Sequence, residues 1–401
     1  MTTTAIDHKV LVVGAGPVGL MTAQRLLAAG IETTVLEAES ALTHDLRAST
    51  FHPPTLDMLA EDDLADALVQ RGLICREWQI RLHPVGEAVT FDMSAIADDT
   101  DYPYRLQAEQ FRLTELLAGR IGELGGNLEF SAKVVALSQS GEDVTVATED
   151  GREFAADYVV GADGGQSIVR KLLGIEMPGS TYPQISVLAT THFAFEDVLP
   201  GICNVTYAWG PSANFALLRL PDIWRCSLYP PQGLSAEEAI APDVVRPLIA
   251  DIAEAATLAE LIDVRAYSVH RRLADQFSKG RVFLAGDAAH LNPPSGGMGM
   301  NGGIHDAACL AGRLVEAIKS GKPEVLQSYE AERRPVVSAD IIEQSGANRA
   351  RMAEKDPDKR RQSILDLQKT VADQETLRDY LLKSSMITGL RRAQALREAM
   401  T

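Results

Sequence analysis

The chain has 401 residues, enough for two or three packed modules of ordinary size. Lys and Arg number 38 against 55 Asp and Glu, which gives a formal net charge of -17. A surface of that sign repels phosphate backbones and anionic lipids, so nucleic acids and membranes are not expected partners. The polar start of the chain, the lack of a long apolar run and four scattered cysteines predict a cytoplasmic protein.

The first part of the chain predicts a β-α-β unit. Apolar residues 9–13 indicate a buried strand, residues 14–19 a glycine-rich turn, residues 18–29 a helix and residues 33–37 a second strand. This order implies a parallel sheet with a right-handed crossover, and such sheets bind ligands beyond the carboxyl ends of their strands. We therefore expect an α/β fold with a Rossmann-like nucleotide-binding domain.

The rest of the chain shows three further patterns. Residues 77–92 predict a hairpin, short alternating strands recur over residues 186–268, and the segment after Leu326 is helical. The last helical part alternates charges around a thin apolar stripe, which predicts a solvent-facing layer and a candidate subunit contact. The expected division is residues 1–76 and 101–177 for the nucleotide-binding domain, 77–100 for a hairpin insertion, 178–272 for a substrate domain with an antiparallel sheet, 273–335 for a return to the first domain and 336–401 for a C-terminal helical segment.

Residues 14–19 read G-A-G-P-V-G and match the dinucleotide-binding pattern G-x-G-x-x-G. Gly14, Gly16 and Gly19 permit a tight turn, close approach of a pyrophosphate and packing of the helix on the strand, and Pro17 belongs to the same turn. Glu37 follows the second strand, where its carboxylate can accept hydrogen bonds from both adenosine ribose hydroxyls. A plain turn is the alternative, but strand, helix and acid together favour a dinucleotide, either FAD or NAD(P).

Two later segments carry further motifs. Residues 161–164 read G-A-D-G and are followed by Arg170, and residues 286–290 read G-D-A-A-H, with P-P-S-G-G-M-G-M-N at 293–301. In this order and separation, the three motifs resemble those of the class A FAD-dependent aromatic hydroxylases, the flavoprotein monooxygenases of the para-hydroxybenzoate hydroxylase fold. The resemblance runs over residues 10–335 and implies FAD as the cofactor, with NADH or NADPH as the cosubstrate.

The resemblance also assigns roles to residues near the nucleotide. The first motif would hold the ADP half of FAD, and Asp163 and Arg170 would serve both flavin and nicotinamide binding. Arg47 and Gln107 match family positions that contact the flavin pyrophosphate and ribityl region. For Arg47, a surface ion pair is the alternative.

The third motif is expected to hold the ribityl chain. By resemblance, Asp287 accepts a hydrogen bond from a ribityl hydroxyl, and Gly286 lets the backbone approach closely. His290 belongs to the same motif and has no acid close to it in the sequence. We therefore expect His290 to be structural rather than a catalytic base.

The glycine-rich loop after the third motif precedes a helix expected from residue 302. Free backbone N–H groups and the positive helix end should therefore face an anion. The resemblance implies that this anion is the reduced isoalloxazine, held by the loop at Gly299 and by backbone donors of Met300 and Asn301. Pro294 removes an amide donor and fits a carbonyl wall beside the ring, with a simple rigid turn as an equal alternative.

The second sheet should cover the isoalloxazine and supply the remaining site residues. Tyr207, Arg225 and Tyr229 are the catalytic candidates on its strands, although core packing or exposure is the alternative for each one taken singly. His83 and Tyr104 lie on the hairpin and its return, from which they could reach the ring from the other side.

The resemblance implies that a nicotinamide hydride reduces FAD, dioxygen adds at flavin C4a, and the hydroperoxide hydroxylates a small aromatic or N-heteroaromatic ring, phenol-like or hydroxypyridine-like. The acidic stretch 32–45 favours NADH and leaves NADPH open. One alternative is a related flavoprotein acting on a non-aromatic molecule, as an epoxidase, a reductase or a drug-inactivating hydroxylase. Another is a catalytically silent FAD-binding regulatory protein. Both a monomer and a homodimer stay open.

Overall fold

The computed structural model describes residues 6–44, 46, 48–141 and 143–400. Its strands, in chain order, are β1 (Ile6–Val13), β2 (Ile31–Leu36), β3 (Thr50–Phe51), β4 (Leu73–Cys75), β5 (Glu77–Leu82), β6 (Ala88–Asp92), β7 (Arg105–Gln107), β8 (Asn127–Glu129), β9 (Val134–Ser140), β10 (Asp143–Thr148), β11 (Glu153–Ala156), β12 (Tyr158–Gly161), β13 (Gly179–Thr181), β14 (Ser186–Thr191), β15 (Val205–Trp209), β16 (Asn214–Arg219), β17 (Trp224–Leu228), β18 (Asp263–Tyr267), β19 (His270–Leu273), β20 (Ser278–Lys279), β21 (Val282–Leu284) and β22 (His290–Leu291).

The α-helices, in chain order, are α1 (Pro17–Ala28), α2 (Pro53–Ala60), α3 (Ala65–Val69), α4 (Gln110–Glu123), α5 (Ile168–Leu172), α6 (Phe195–Val198), α7 (Ala236–Ala239), α8 (Pro242–Ile252), α9 (Met298–Ser320), α10 (Gln327–Val336), α11 (Glu343–Met352), α12 (Pro357–Ala372), α13 (Gln374–Ser384) and α14 (Ile387–Glu398). Short 3-10 turns lie at Met93–Ile96, Glu254–Ala256, Gly286–Ala288 and Pro323–Leu326, and a π-helical turn at Val337–Ile342. None of the helices in the described part of the chain combines the length and the apolar run needed to cross a bilayer.

The first sheet has six strands in the order β20-β21-β12-β1-β2-β8. All of its pairs are parallel except the edge pair β20 and β21. Val10 faces Thr33 on one side and Tyr158 on the other, and it is fully buried, as expected for a central parallel strand. Helix α1 connects β1 to β2 and packs against α4 and α9. The predicted α/β fold with a Rossmann-like sheet is confirmed.

The second sheet has seven strands in the order β18-β14-β17-β16-β15-β5-β6. The hairpin predicted at 77–92 is present as β5 and β6, in a register that pairs Glu77 with Asp92. It does not stand apart, because β5 pairs in parallel with β15 and places Gln79 opposite Thr206. The alternation of residues predicted the hairpin, but this pairing joins segments more than 120 residues apart and left no local signal.

The C-terminal helices differ from the prediction of a merely solvent-facing layer. Apolar residues of α12 and α13, including Ile364, Leu367 and Leu381, are buried in one cluster with Trp78 and Phe91 of the hairpin. The thin apolar stripe therefore covers one face of the β5–β6 hairpin. The charged residues between the apolar positions lie on the exposed face of these helices, which form a layer over the hairpin.

The helix after the glycine-rich loop begins earlier than expected. Helix α9 begins at Met298, with Gly297 as its N-cap, rather than at residue 302. Gly297 has a φ of 69°, a left-handed conformation that glycine adopts without a steric penalty. The predicted boundary came too late, because residues 298–301 already belong to the helix.

Candidate active site

One large cavity extends from the carboxyl ends of β1, β2 and β12 to the inner face of the seven-stranded sheet. Its volume is about 1320 Å³. A pocket for one small molecule usually has a volume of roughly 300–1,000 Å³. The cavity is therefore large enough for an extended ligand at the sheet end together with a second, smaller molecule under the other sheet.

The first glycine turn forms one wall of the cavity. Gly14 has a φ of 104°, and a Cβ atom there would lie 2.5 Å from the carbonyl oxygen of Ala162. Helix α1 begins at Pro17, and its N-cap Gly16 makes no side-chain capping bond, so the first N–H groups of the helix are free to bind phosphate. Gly16 and Pro17 line the cavity, while Gly19 lies under the turn, where a Cβ atom would meet the Gly14 carbonyl oxygen at 1.9 Å.

Glu37 lies at the end of β2 and lines the same wall. Its Oε2 accepts a hydrogen bond from the Ala15 N–H at 2.7 Å, and its Oε1 accepts one from the Glu39 N–H at 2.9 Å. These bonds tie the second strand to the glycine turn. They also fix the position of the carboxylate that the sequence assigned to the ribose hydroxyls.

The second motif turns at the end of β12. Asp163 lines the cavity, and it also accepts hydrogen bonds from the Ser167 hydroxyl at 2.5 Å and the Ile168 N–H at 2.6 Å. Arg170 does not line the cavity. Its guanidinium donates to the carbonyl oxygens of Ala288 and Gly165, at 2.9 and 3.0 Å. Arg170 therefore holds the second and third motif loops together, and its contact with the flavin or the nicotinamide stays a prediction.

The third motif follows β21, and hydrogen bonds to a carboxylate of helix α9 hold it in place. Gly286 has a φ of 61°, and its N–H donates to Asp306 Oδ2 at 3.1 Å. The ring of His290 lies 2.7 Å from the same carboxylate oxygen and is fully buried. The neighbouring Asp287 lines the cavity. The loop thus presents one carboxylate to the cavity, and His290 supports the loop, as expected from the sequence.

The glycine-rich loop and the start of α9 form the central part of the cavity. Pro294, Gly299 and Met300 line it. The first turn of α9 contains no acidic residue and its N-cap provides no side-chain acceptor, so the positive end of a 23-residue helix faces the cavity. Asn301 is buried behind the loop, where its amide donates to the carbonyl oxygens of Thr50 and Gly297 at 2.8 and 2.7 Å.

We call the part of the cavity under the seven-stranded sheet the inner pocket. It is lined by Trp78, Ile80, Arg105, Tyr207, Leu218, Arg225, Ser227, Tyr229, Tyr267, Met352 and Tyr380. Burial raises the pKa of the Tyr229 and Tyr267 hydroxyls, so both stay protonated at neutral pH and can donate hydrogen bonds. The pocket thus combines an apolar and aromatic wall with hydroxyl donors and cations.

Comparison with known proteins identifies the chain. The FAD binding domain family matches residues 7–344. The chain belongs to this family. Para-nitrophenol 4-monooxygenase of Pseudomonas sp. (strain WBC-3) is 31% identical over 392 residues, which are 95% of this chain and 96% of the relative. 6-Hydroxy-3-succinoylpyridine 3-monooxygenase of Pseudomonas putida is 30% identical over 336 residues, which are 82% of this chain and 85% of the relative.

Solved structures agree with this assignment. The crystal structure of p-nitrophenol 4-monooxygenase from Pseudomonas putida matches with a TM-score of 0.86 and 30% identity, and covers 96% of this chain and 99% of that one. Aklavinone-11 hydroxylase, solved with FAD and aklavinone, matches with a TM-score of 0.78 and 28% identity, over 88% of this chain and 70% of that one. The resemblance to the class A flavoprotein monooxygenases is confirmed.

Three further residues of this flavoprotein that the sequence assigned to the site do not line the cavity. Gln107 is fully buried, does not line the cavity, and exchanges hydrogen bonds with the Thr50 hydroxyl at 3.0 and 3.2 Å. It braces the wall at Thr50, and its contact with the flavin stays a prediction. His83 and Tyr104 do not line the cavity either. Arg47 lies outside the described residues.

The three catalytic candidates on the second sheet, Tyr207, Arg225 and Tyr229, all line the inner pocket. Arg225 also donates to the Ser49 hydroxyl at 2.9 Å. Sequence reasoning missed Arg105 on β7 and Tyr380 on α13, which line the same pocket. Arg105 directly follows Tyr104, and neighbouring side chains in a β-strand point to opposite faces of the sheet. Alternation along the strand would therefore have placed Arg105 on the face opposite Tyr104.

Proposed function

We propose that this flavoprotein is a single-component monooxygenase that uses NADH or NADPH and dioxygen to hydroxylate a small phenol-like or hydroxypyridine-like ring. One observation carries the proposal: the nucleotide loops and the inner pocket form a single cavity. A dinucleotide held by the loops would therefore meet a ring compound held under the second sheet. The names of the two similar enzymes, which act on a nitrophenol and on a hydroxypyridine, support the same substrate class.

The residues at the sheet end fit FAD. The Gly14 turn leaves no room for a Cβ atom, and Gly16 leaves the helix N-terminus open to a pyrophosphate. We assign the ribose hydroxyls to Glu37 and the ribityl chain to Asp287, since both carboxylates line the cavity after parallel strands. Bound FAD would supply the redox chemistry by accepting a hydride from the nicotinamide and activating dioxygen.

The protein itself would supply charge stabilisation and orientation. The N-terminus of α9, at Gly299 and Met300, would stabilise negative charge on the ring system, because its backbone donors have no partner within the helix. Pro294 would present a carbonyl wall without an amide donor. Tyr207, Arg225 and the aromatic wall of the inner pocket would hold the substrate ring in a site with little water.

Two other functions lead to different measurements. A flavoprotein reductase would convert a ring or a conjugated system without incorporating oxygen. A silent regulatory protein would bind FAD and never transfer electrons to it. The incorporation of oxygen from dioxygen and the bleaching of bound flavin by a nicotinamide distinguish these functions from the one proposed.

The test is a turnover assay on the FAD-loaded protein. NADH and NADPH oxidation is followed with 4-nitrophenol, 3-hydroxypyridine and the unhydroxylated ring nitrobenzene under ¹⁸O₂. We expect the hydroxylated rings to accelerate nicotinamide oxidation and the product to contain one ¹⁸O atom. Product without the label would indicate a reductase, and flavin that no nicotinamide bleaches would indicate a silent protein. Either result would overturn the proposal.

A further inference from the structure

Arg105 is a buried cation on the wall of the inner pocket. Its side chain lies on β7 and is 2% exposed. Two of its guanidinium nitrogens, Nε and Nη1, are buried and have no hydrogen-bond partner. Among the described residues no carboxylate lies within ion-pair distance of it. A guanidinium is charged at any physiological pH, so the positive charge is not compensated within the described part of the chain.

Two other buried arginines in the described structure are neutralised by buried carboxylates. Arg313 forms an ion pair with Glu332, and Arg333 donates to Asp306 at 2.7 Å. Arg170 and Arg81 differ again, because they donate to backbone carbonyl oxygens and so brace loops. Arg105 makes neither kind of contact in the described structure. A structural role of the usual types therefore does not explain its position.

The groups around Arg105 carry no opposing charge. The Trp78 ring lies 4.3 Å from its guanidinium carbon, and the hydroxyls of Tyr207 and Tyr380 are its polar neighbours. Burial, followed by the charge of Arg105, lowers the pKa of His52 to about 3, and burial raises the pKa of the Cys75 thiol to about 12. Both groups are thus neutral near pH 7, and neither titrates between pH 5 and 9.

We infer that Arg105 binds a negatively charged oxygen group on the substrate ring, so that the substrate of this site is an aromatic oxyanion. The inference rests on the proposed function and narrows its substrate class. A buried, unpaired guanidinium is costly, and a bound phenolate or carboxylate would provide the missing charge and accept its N–H donors. The face of the Trp78 ring restricts the orientation of the guanidinium. The Tyr207 hydroxyl can donate a further hydrogen bond to the charged oxygen of the substrate.

A bound phenolate would also be chemically useful. Removing the proton from a ring hydroxyl makes the ring more electron-rich, which favours attack on an electrophilic oxygen. A nearby fixed cation lowers the pKa of that hydroxyl. Arg105 would then select the substrate and also keep it in its reactive form.

The test is a binding titration of the FAD-loaded protein without nicotinamide, so that no turnover occurs. The probes are 4-nitrophenol, whose anion is yellow, and its methyl ether 4-nitroanisole, which cannot ionise. A second pair, benzoate and benzamide, distinguishes a carboxylate from a phenolate. The variants are Arg105→Gln and Arg105→Lys. The control is Arg120→Gln, since Arg120 is partly exposed on α4, pairs with Glu123 and does not line the cavity.

For the native protein and the Arg120→Gln control, we expect bound 4-nitrophenol to ionise at a lower pH than the free compound. Arg105→Gln should raise the ionisation pH of the bound probe and weaken anion binding by about tenfold or more, while the affinity for the neutral partner changes less than about twofold. Arg105→Lys should give an intermediate result, because it keeps the charge but not the planar fork. The anion that loses more affinity identifies the preferred substituent.

Equal weakening of the charged and neutral partners, or no change for either anion, would overturn the inference. Circular dichroism and the FAD content of each variant establish that the fold is kept. If Arg105→Gln cannot be purified in folded form, Arg105→Lys is used for the same binding comparison. The result is independent of turnover. Anion-selective binding in a protein that never oxidises nicotinamide would sink the proposed function alone, whereas turnover with neutral rings and no dependence on Arg105 would sink this inference alone.

Discussion

His290 Nε2 lies 2.7 Å from Asp306 Oδ2, and both side chains are fully buried. The other carboxylate oxygen of Asp306 accepts a hydrogen bond from Arg333 Nε at 2.7 Å, and Oδ2 also accepts the Gly286 N–H at 3.1 Å. One carboxylate of α9 therefore fixes the loop that carries Asp287. The position of the ribityl contact that we propose depends on this buried network.

Replacing Asp306 with asparagine should strongly destabilise the fold. The variant leaves the Arg333 cation buried without a carboxylate, a change that typically costs about 3–5 kcal/mol of unfolding free energy. Urea denaturation at pH 7 measures the loss. The matched control is Asp366→Asn, because that carboxylate is exposed on α12, where it pairs with Lys369 and accepts a hydrogen bond from Gln362. A loss as small as that of the control would show that the network does not hold the loop.

The same network makes the free energy of unfolding depend on pH. Burial opposes ionisation of Asp306, but Arg333 and His290 more than offset it, and the pKa of its carboxyl is lowered to about 2. Because this pKa lies below the unfolded value of about 4, the stabilisation is present above pH 4 and is lost as the pH falls toward 2. The stability difference between the native protein and Asp306→Asn should therefore shrink between pH 4 and pH 2. A difference that stays constant over this interval would contradict the assignment.

The first motif contains two glycines with separable roles. A Cβ atom on Gly16 would meet nothing within 4 Å, whereas one on Gly19 would lie 1.9 Å from the Gly14 carbonyl oxygen. Gly16→Ala should fold normally but bind FAD more than about tenfold more weakly, because the methyl group occupies the place of the pyrophosphate. Gly19→Ala should instead lower the unfolding free energy by about 1–3 kcal/mol, since helix and turn must separate.

Flavin fluorescence titration and urea denaturation distinguish the two effects. Gly119→Ala is the control, since Gly119 lies inside α4 with open space around its Cβ position. That variant should keep FAD affinity and gain up to about 1 kcal/mol of stability, because alanine favours a helix. If Gly16→Ala bound FAD as well as the control does, the pyrophosphate would have to lie elsewhere.

Local patterns were sufficient to predict that the loops of Glu37, Asp163 and Asp287 meet at one end of the first sheet. The buried strand, the glycine turn and Glu37 lie within one β-α-β unit, so their spacing in the sequence already fixed their spacing in space. The motifs at Asp163 and Asp287 follow parallel neighbours of the same sheet, β12 and β21. Their convergence follows from the rule that ligands bind at the carboxyl ends of such strands.

The inner pocket could not be predicted in the same way. Its wall combines β5, β7 and β15 with helix α13, which meet through one long-range parallel pairing and one apolar stripe. Tyr380 lies in a segment whose charges indicated only exposure, and the burial of Arg105 depends on Trp78 covering it. Such contacts are set by packing between distant segments and leave little trace in local periodicity.

Arg105 and Arg333 are both fully buried arginines, but of the two only Arg333 has a carboxylate partner in the described structure. Arg333→Met should lose about 3–5 kcal/mol, since it leaves Asp306 buried without its partner. Arg105→Met removes a charge that nothing in the described protein compensates, so the ligand-free protein should gain about 1–2 kcal/mol despite losing the contact with Trp78. Urea denaturation of both variants without ring compounds measures the difference. If both variants lost a similar amount of unfolding free energy, Arg105 would serve the fold. A gain in unfolding free energy for Arg105→Met is expected if Arg105 is retained for ligand binding at a cost in stability.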